Sequence, residues 1–222
     1  MKKRILMGFL VLGLSVMILG ACNNSSSTDN DPVATVDGEE ITRTDYETLL
    51  QSVKENYTAR GIDTENLDDE TKKQLEEQVI NQLVNTKILL QAAKAEGITV
   101  EQEEIDQSLA DMKANFEGDQ AYQDALEKNK LTEESLKGKI QEELYITKYI
   151  DQRVGEVEVS EDEVKKLYDE YKLSAVTNQQ EVQEYEEIKE ILEQQAVSQK
   201  KQEKVSEMIE TLREEHDIKV LL

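Results

Sequence analysis

Val33-Ala34-Thr35-Val36-Asp37-Gly38-Glu39-Glu40-Ile41-Thr42 reads as two short extended runs around Asp37-Gly38. Asp-Gly tolerates the positive φ angles of a two-residue type I′ turn, whose twist matches that of paired strands, so a β-hairpin is expected here. Everything downstream has the helical period. Thr42 with Asp45, or Thr44 with Glu47, forms a capping box opening a helix that reaches about Arg60, with Gly61 as its stop. Asp68 or Asp69 starts a longer helix with Leu75, Val79, Leu83, Ile88 and Leu89 on one stripe, ended by Gly97. Thr99 with Gln102 predicts the cap of a helix through Ile105, Leu109 and Met112, and a short helix is expected over 121–128. Thr132 caps a helix carrying Leu136, Ile140 and Leu144 to about Val154. Ser160 with Glu163 then boxes one carrying Val164, Leu167, Tyr168 and Tyr171.

After an expected irregular stretch over 172–184, a last helix runs to about Glu215, roughly 46 Å at 1.5 Å per residue. Its apolar residues gather at both ends, Tyr185, Ile188, Ile191 and Leu192, then Val205, Met208, Ile209 and Leu212. The polar middle, 194–204, implies that the two ends pack into separate places. Residues 218–222 suit a terminal strand whose simplest partner is the hairpin, which would bring the two ends of the folded part together. Pro32 is the only proline, so nothing breaks the long helices. The fold class is mainly α, with long helices and a small N-terminal β-hairpin joined by a C-terminal strand.

Upstream of the hairpin, Asn23 to Pro32 is polar and without periodicity, a flexible tether of at most about 35 Å. Lys2, Lys3 and Arg4 precede an uncharged apolar run from Ile5 to Leu19, and Leu19-Gly20-Ala21-Cys22 closes it. A basic start, an apolar run and small residues are the layout of a secretory signal peptide. The cysteine resembles that of the bacterial lipoprotein lipobox. That resemblance implies cleavage between Ala21 and Cys22 and a thioether from Cys22 to diacylglycerol, whose two acyl chains suffice for stable anchoring. The other reading is an uncleaved transmembrane anchor, for which the run is short and interrupted by Gly8, Gly13 and Ser15. The expected organisation is a signal peptide over 1–21, a lipidated cysteine and tether over 22–32, and a helical unit over 33–222.

The 222 residues hold 49 acidic and 26 basic side chains, a formal net charge of −23. Such a chain is not expected to bind nucleic acid, and its surface is repelled by anionic lipid heads, so membrane contact is expected through the acyl anchor only. Basic or unfolded polypeptides are better suited as partners. Cys22 is the only cysteine, so an exported location is not used for disulfide cross-linking.

Val33 to Thr42 followed by Arg43-Thr44-Asp45-Tyr46 resembles the N-terminal segment of the SurA/PrsA chaperone-foldase family. Val159-Ser160-Glu161-Asp162-Glu163-Val164-Lys165-Lys166-Leu167-Tyr168 resembles the helix preceding that family's parvulin domain. Tyr185-Glu186-Glu187-Ile188-Lys189-Glu190-Ile191-Leu192 and the helix after it resemble the segment following it. The resemblance implies a long-helix chaperone cradle that holds unfolded or newly exported polypeptide. It also exposes a departure, because residues 172–184 between the flanking segments are too few for a domain. Parvulin catalysis uses a pair of histidines, and this chain has His216 alone. No isomerase activity is therefore carried over.

No catalytic residues are expected. His216 follows Arg213-Glu214-Glu215, where a positive charge suits the helix dipole, and no nucleophile context accompanies it. Adjacent acids such as Glu103-Glu104, Glu142-Glu143 and Glu186-Glu187 fit solvated helix faces better than paired-acid catalysis. No EF-hand, zinc-ligand or phosphate-loop spacing occurs, so neither metal nor other cofactor is expected. Tyr145 with Tyr149 (i, i+4) and Tyr168 with Tyr171 (i, i+3) have two readings: core or rim residues, or rigid contacts for varied client peptides.

The function expected is a membrane-anchored extracytoplasmic chaperone without catalysis, lipid-anchored at the outer face of the cell membrane on a Gram-positive cell surface. The alternatives are an adaptor lipoprotein with one envelope partner, or a residual peptidyl-prolyl isomerase. A solute-binding lipoprotein fits poorly, since strands and helices do not alternate. The sequence names no client and sets no oligomeric state.

Overall fold

Asp37 and Gly38 adopt φ of 50° and 81°, the paired positive angles that a type I′ turn demands. The computed structural model describes residues 31–129 and 131–222; Cys22, the Ala21–Cys22 cleavage position and nearly all of the tether lie outside them. The turn joins β1 (Ala34–Val36) to β2 (Glu39–Ile41), with Ala34 opposite Ile41 and Val36 opposite Glu39. β3 (Ile218–Val220) adds to the other edge of β1, antiparallel, with Ala34 opposite Val220. The sheet order is β2-β1-β3. Leu221 N–H donating to Val33 O at 2.9 Å extends this ladder, and the expected meeting of the hairpin with the terminal strand is borne out.

Seven helices follow the hairpin among the described residues: α1 (Arg43–Ala59), α2 (Asp69–Ala95), α3 (Gln102–Ala114), α4 (Asp119–Lys128), α5 (Glu133–Val154), α6 (Glu161–Thr177) and α7 (Tyr185–Glu215). Side-chain caps begin several of them as read from the sequence. Thr42, Asp68, Thr132 and Ser160 each accept from the backbone N–H three residues on. Three boundaries differ, the simplest being α4, which begins at Asp119, two residues before its expected start. The box on α3 is Glu101 with Glu104, not Thr99 with Gln102. A carboxylate at the positive end of a helix binds an N–H more strongly than an amide does, and Glu104 also meets Lys148 at 2.6 Å. α6 runs six residues into the stretch read as irregular, so the connection to α7 is only 178–184.

Three apolar clusters organise the helices. The body buries Val33, Val36 and Ile41 of the hairpin region with Tyr46 of α1, Val79, Val84 and Ile88 of α2, Tyr149 of α5 and Leu212 of α7. A second lobe buries Ile105 and Leu109 of α3, Tyr122 and Leu126 of α4, and Leu136 and Ile140 of α5. An arm of α6 and the first half of α7 buries Val164, Leu167, Ile188, Leu192 and Ala196. The long helices are thus shared. α5 begins in the lobe and ends in the body, and α7 begins in the arm and ends in the body, as its two apolar ends foretold.

Polar contacts fasten α7 to the body. Arg213 donates to Asn85 Oδ1 at 2.6 Å and Asn81 Oδ1 at 3.1 Å on α2. Beyond the helix end, His216 Nδ1 donates to Asp37 Oδ2 at 2.6 Å, and Asp217 N–H donates to Asp37 Oδ1 at 2.8 Å. These bonds, the backbone one first, hold the Asp37 carboxyl below its ordinary pKa. The sequence suggests the helix dipole as the partner of His216; its partner in the fold is the turn of the hairpin.

Candidate functional site

The last turns of α5 and the second half of α7 enclose an open groove of about 560 Å³. Each wall follows from local sequence. α5 persists to Val154 because no proline or glycine interrupts its last turns, and Gly155 at φ 62° then turns the chain away. α7 places Met208 and Leu212 one turn apart on the face that meets the body. Tyr149, Val154 and Leu212 are buried beneath the groove and Met208 is half-buried. Exposed Lys204, Glu207, Thr211 and Glu215 form the rim on α7.

Ion pairs hold these walls in place. Arg153 pairs with Glu96 just past the end of α2, and its guanidinium carbon lies 5.8 Å from the centre of the Tyr149 ring. Lys201 Nζ meets Asp151 Oδ1 at 2.8 Å, tying α7 to α5 at one end of the groove. Burial raises the pKa of the Tyr149 hydroxyl, with the nearby Glu96 carboxylate adding to it. The lining offers an apolar floor and a polar rim, the arrangement of a noncovalent binding surface. Among the described residues, no group of three or more His, Cys, Asp or Glu is placed to hold a metal ion.

The four tyrosines named from the sequence separate into two pairs. Tyr149 is 1% exposed and belongs to the body core, so its reading as a client contact is corrected: a side chain packed on α2 and α7 has no free face to offer. Tyr145 is half-buried against the same core, with the Lys94 ammonium 5.9 Å from its ring centre. Tyr168 and Tyr171 stack at 6.1 Å in the arm, and Tyr168 meets Tyr185 edge-on at 5.2 Å. Their hydroxyls fasten the α6–α7 connection: Tyr168 Oη donates to Gln183 O at 2.9 Å, and Gln183 N–H donates to Tyr171 Oη at 3.1 Å. Sequence reasoning had Met208 and Leu212 on the right stripe but not Val154 or Glu207 as their neighbours. The i, i+4 spacing of Met208 and Leu212 is visible in the sequence; the approach of α5 is not.

A family model described as the SurA-like N-terminal domain matches residues 1–150. The chain belongs to that family. The resemblance read from the hairpin and the first helix is thereby borne out. Over 180 residues it is 29% identical to the foldase protein PrsA of Caldanaerobacter subterraneus, covering 78% of this chain and 54% of that protein. A Clostridium botulinum foldase protein PrsA is 26% identical over 180 residues, covering 74% of this chain and 53% of its own length. The chain spans about half the length of these relatives. In fold it is similar to a SurA-like chaperone of Campylobacter jejuni, with a TM-score of 0.55 and 16% identity over 86% of this chain and 99% of the other. Among the described residues, no helix is long and apolar enough to cross a membrane.

Proposed function

We propose that this protein holds unfolded or newly exported polypeptide outside the cytoplasmic membrane, tethered through Cys22, and does so without catalysis. The groove between α5 and α7 carries this reading: its floor of Val154, Met208 and Leu212, laid over the buried Tyr149, offers apolar contact to a segment without demanding a sequence. Membership of the SurA-like N-terminal domain family and the foldase names of the relatives support it. The absence of catalysis is argued from the place between α6 and α7, where the family resemblance leads one to expect a parvulin domain. There the chain has a connection of residues 178–184. The membrane address rests on the basic start, the apolar run and Cys22.

The test is aggregation of a chemically denatured protein, without ATP, in the presence of the full-length protein in non-ionic detergent. Suppression that is lost in Met208→Asp is expected; no suppression by the unsubstituted protein would sink the proposal. A prolyl-peptide isomerisation assay is expected to show the uncatalysed rate. Cys22→Ser is expected to abolish incorporation of labelled fatty acid into the protein. A second reading, an adaptor with one envelope partner, draws on the arm, where Leu173 and Val176 of α6 are 71% and 66% exposed. Recovery of one stoichiometric partner with no protection of denatured clients would favour it.

A further inference from the structure

The face of α7 beside the groove carries a row of carboxylates. Glu203, Glu207, Glu210 and Glu214 recur on α7 at spacings of four, three and four, which stacks them on one helix face. Glu203, Glu207 and Glu210 share a shallow depression on that flank, and Glu207 belongs to the groove rim as well. Among the described residues, none of the four carboxylates forms an ion pair with a lysine, arginine or histidine. Like charges at these spacings repel one another, so an arriving cation relieves a repulsion already built into α7. Of the groove's own cations, Arg153 is engaged by Glu96, and Lys204 on the α7 rim is one charge beside four carboxylates, so this face stays acidic.

Resting on the holding function proposed above, we infer that the groove selects polypeptide segments in which an apolar side chain neighbours lysine or arginine. The apolar residue enters over Met208 and Leu212, and the basic residue lies against the carboxylates of α7. The occupant is an unfolded cationic segment, and charge complementarity commits the groove to it. Apolar floor and charged flank act on different properties of the segment. Burial supplies adhesion without sequence preference, whereas rim charge sets which segments arrive and remain. An acidic surface also disfavours anionic segments by the same interaction with the sign reversed.

The experiment uses the full-length protein in non-ionic detergent and two fluorescein-labelled unstructured peptides. One carries phenylalanines and lysines; its twin has glutamate for each lysine. Anisotropy titration is expected to show the lysine peptide binding about tenfold tighter at low salt. That preference is expected to shrink at physiological ionic strength, where charges more than about 8 Å apart are screened. The variant E203Q/E207Q/E210Q/E214Q is expected to lose the preference. A control with the same charge change elsewhere, E47Q/E65Q/E117Q/E127Q, is expected to keep it, since all four positions are exposed and off the groove. Equal binding of both peptides, or equal loss in both variants, overturns the inference. The aggregation assay separates the two levels: continued suppression without charge preference removes the selectivity alone, and absent suppression removes the holding function.

Discussion

The two halves of α7 solve different packing problems. In the arm, α6 lies along the first half of α7, and Ile188, Leu192 and Ala196 meet Val164 and Leu167 to make a closed seam. In the body, α2, α5 and the second half of α7 converge on a three-stranded sheet. Tyr149, Val154 and Leu212 are buried there, yet an open groove remains above them. In the arm two helices interdigitate along one line, whereas in the body α5 and α7 both contribute to a core centred on α2 and leave a space between them. A single continuous helix therefore carries a sealed strut at one end and the wall of an open groove at the other. Rigidity at the junction matters more than rigidity at the tip, because the groove exists only while α5 and α7 keep their spacing.

If the body is the junction on which both α5 and α7 depend, its core residues carry the largest effects. Ile88 of α2 is fully buried in the body cluster. Ile88→Ala is expected to cost about 3 to 4 kcal/mol, the range for a buried aliphatic truncated to alanine. Urea unfolding followed by circular dichroism would read this, and a loss under about 1 kcal/mol would deny the body its place as the junction.

The arm predicts a smaller and more local effect. Leu192, 4% exposed, lies in a core shared only by α6 and α7. Leu192→Ala is expected to cost about 2 to 3 kcal/mol within that seam. Hydrogen exchange would localise it, with amide protection falling over α6 and the first half of α7 while α2 keeps its own. Equal loss of protection in α2 would show that arm and body unfold as one unit and erase the distinction.

Much of this contrast was legible before the structure, and for a physical reason. Local interactions write themselves into sequence: the Asp37-Gly38 turn, the caps at Thr42, Asp68, Thr132 and Ser160, and the two apolar ends of α7 are set by neighbours within four residues. What was missed depends on segments far apart. His216 meets Asp37 across nearly the whole folded chain, and the groove needs α5 beside α7. The continuation of α6 to Thr177 was hidden because Lys172 to Thr177 buries only the small Ala175, with Leu173 and Val176 facing solvent. Helicity there follows from propagation of an established helix, not from an amphipathic pattern. The tyrosine pairs were visible as pairs, but i, i+4 spacing fixes only a shared face and cannot say which face is buried.

Finer still is the closure of the arm by tyrosine hydroxyls. Tyr171→Phe removes the acceptor for Gln183 N–H and keeps the ring on Tyr168. A loss of about 0.5 to 1 kcal/mol is expected, the net value of one hydrogen bond near solvent. Faster exchange of the Gln183 amide with unchanged protection in α5 would confirm its local character. A shift in α5 would mean that the tip communicates with the body.

The least of these effects is acid sensitivity, and it too should be confined to the arm. Glu163 receives Lys200 Nζ at 2.8 Å across the seam and the Ser160 N–H at 2.6 Å within the α6 cap. Lys200 first, and then the Ser160 bonds, lower its pKa from 4.5 to about 2. A carboxyl whose folded pKa lies below its unfolded value binds its proton more readily in the unfolded chain. Its stabilising contribution is therefore complete above about pH 4.5 and is lost as pH falls toward 2. Because the group is exposed, solvent screens the interaction and the change in overall stability is small. Its signature is spectroscopic. The Glu163 side-chain carboxyl carbon should titrate near pH 2 in the folded protein, and the Lys200 ammonium resonance should follow the same curve. Glu163→Gln should abolish that coupled titration while leaving the Asp37 carboxyl, held by Asp217 and His216 in the body, to titrate as before. Movement of both together would mean that the charge lost from the arm is felt along the whole of α7, and the strut and the junction would then be one device.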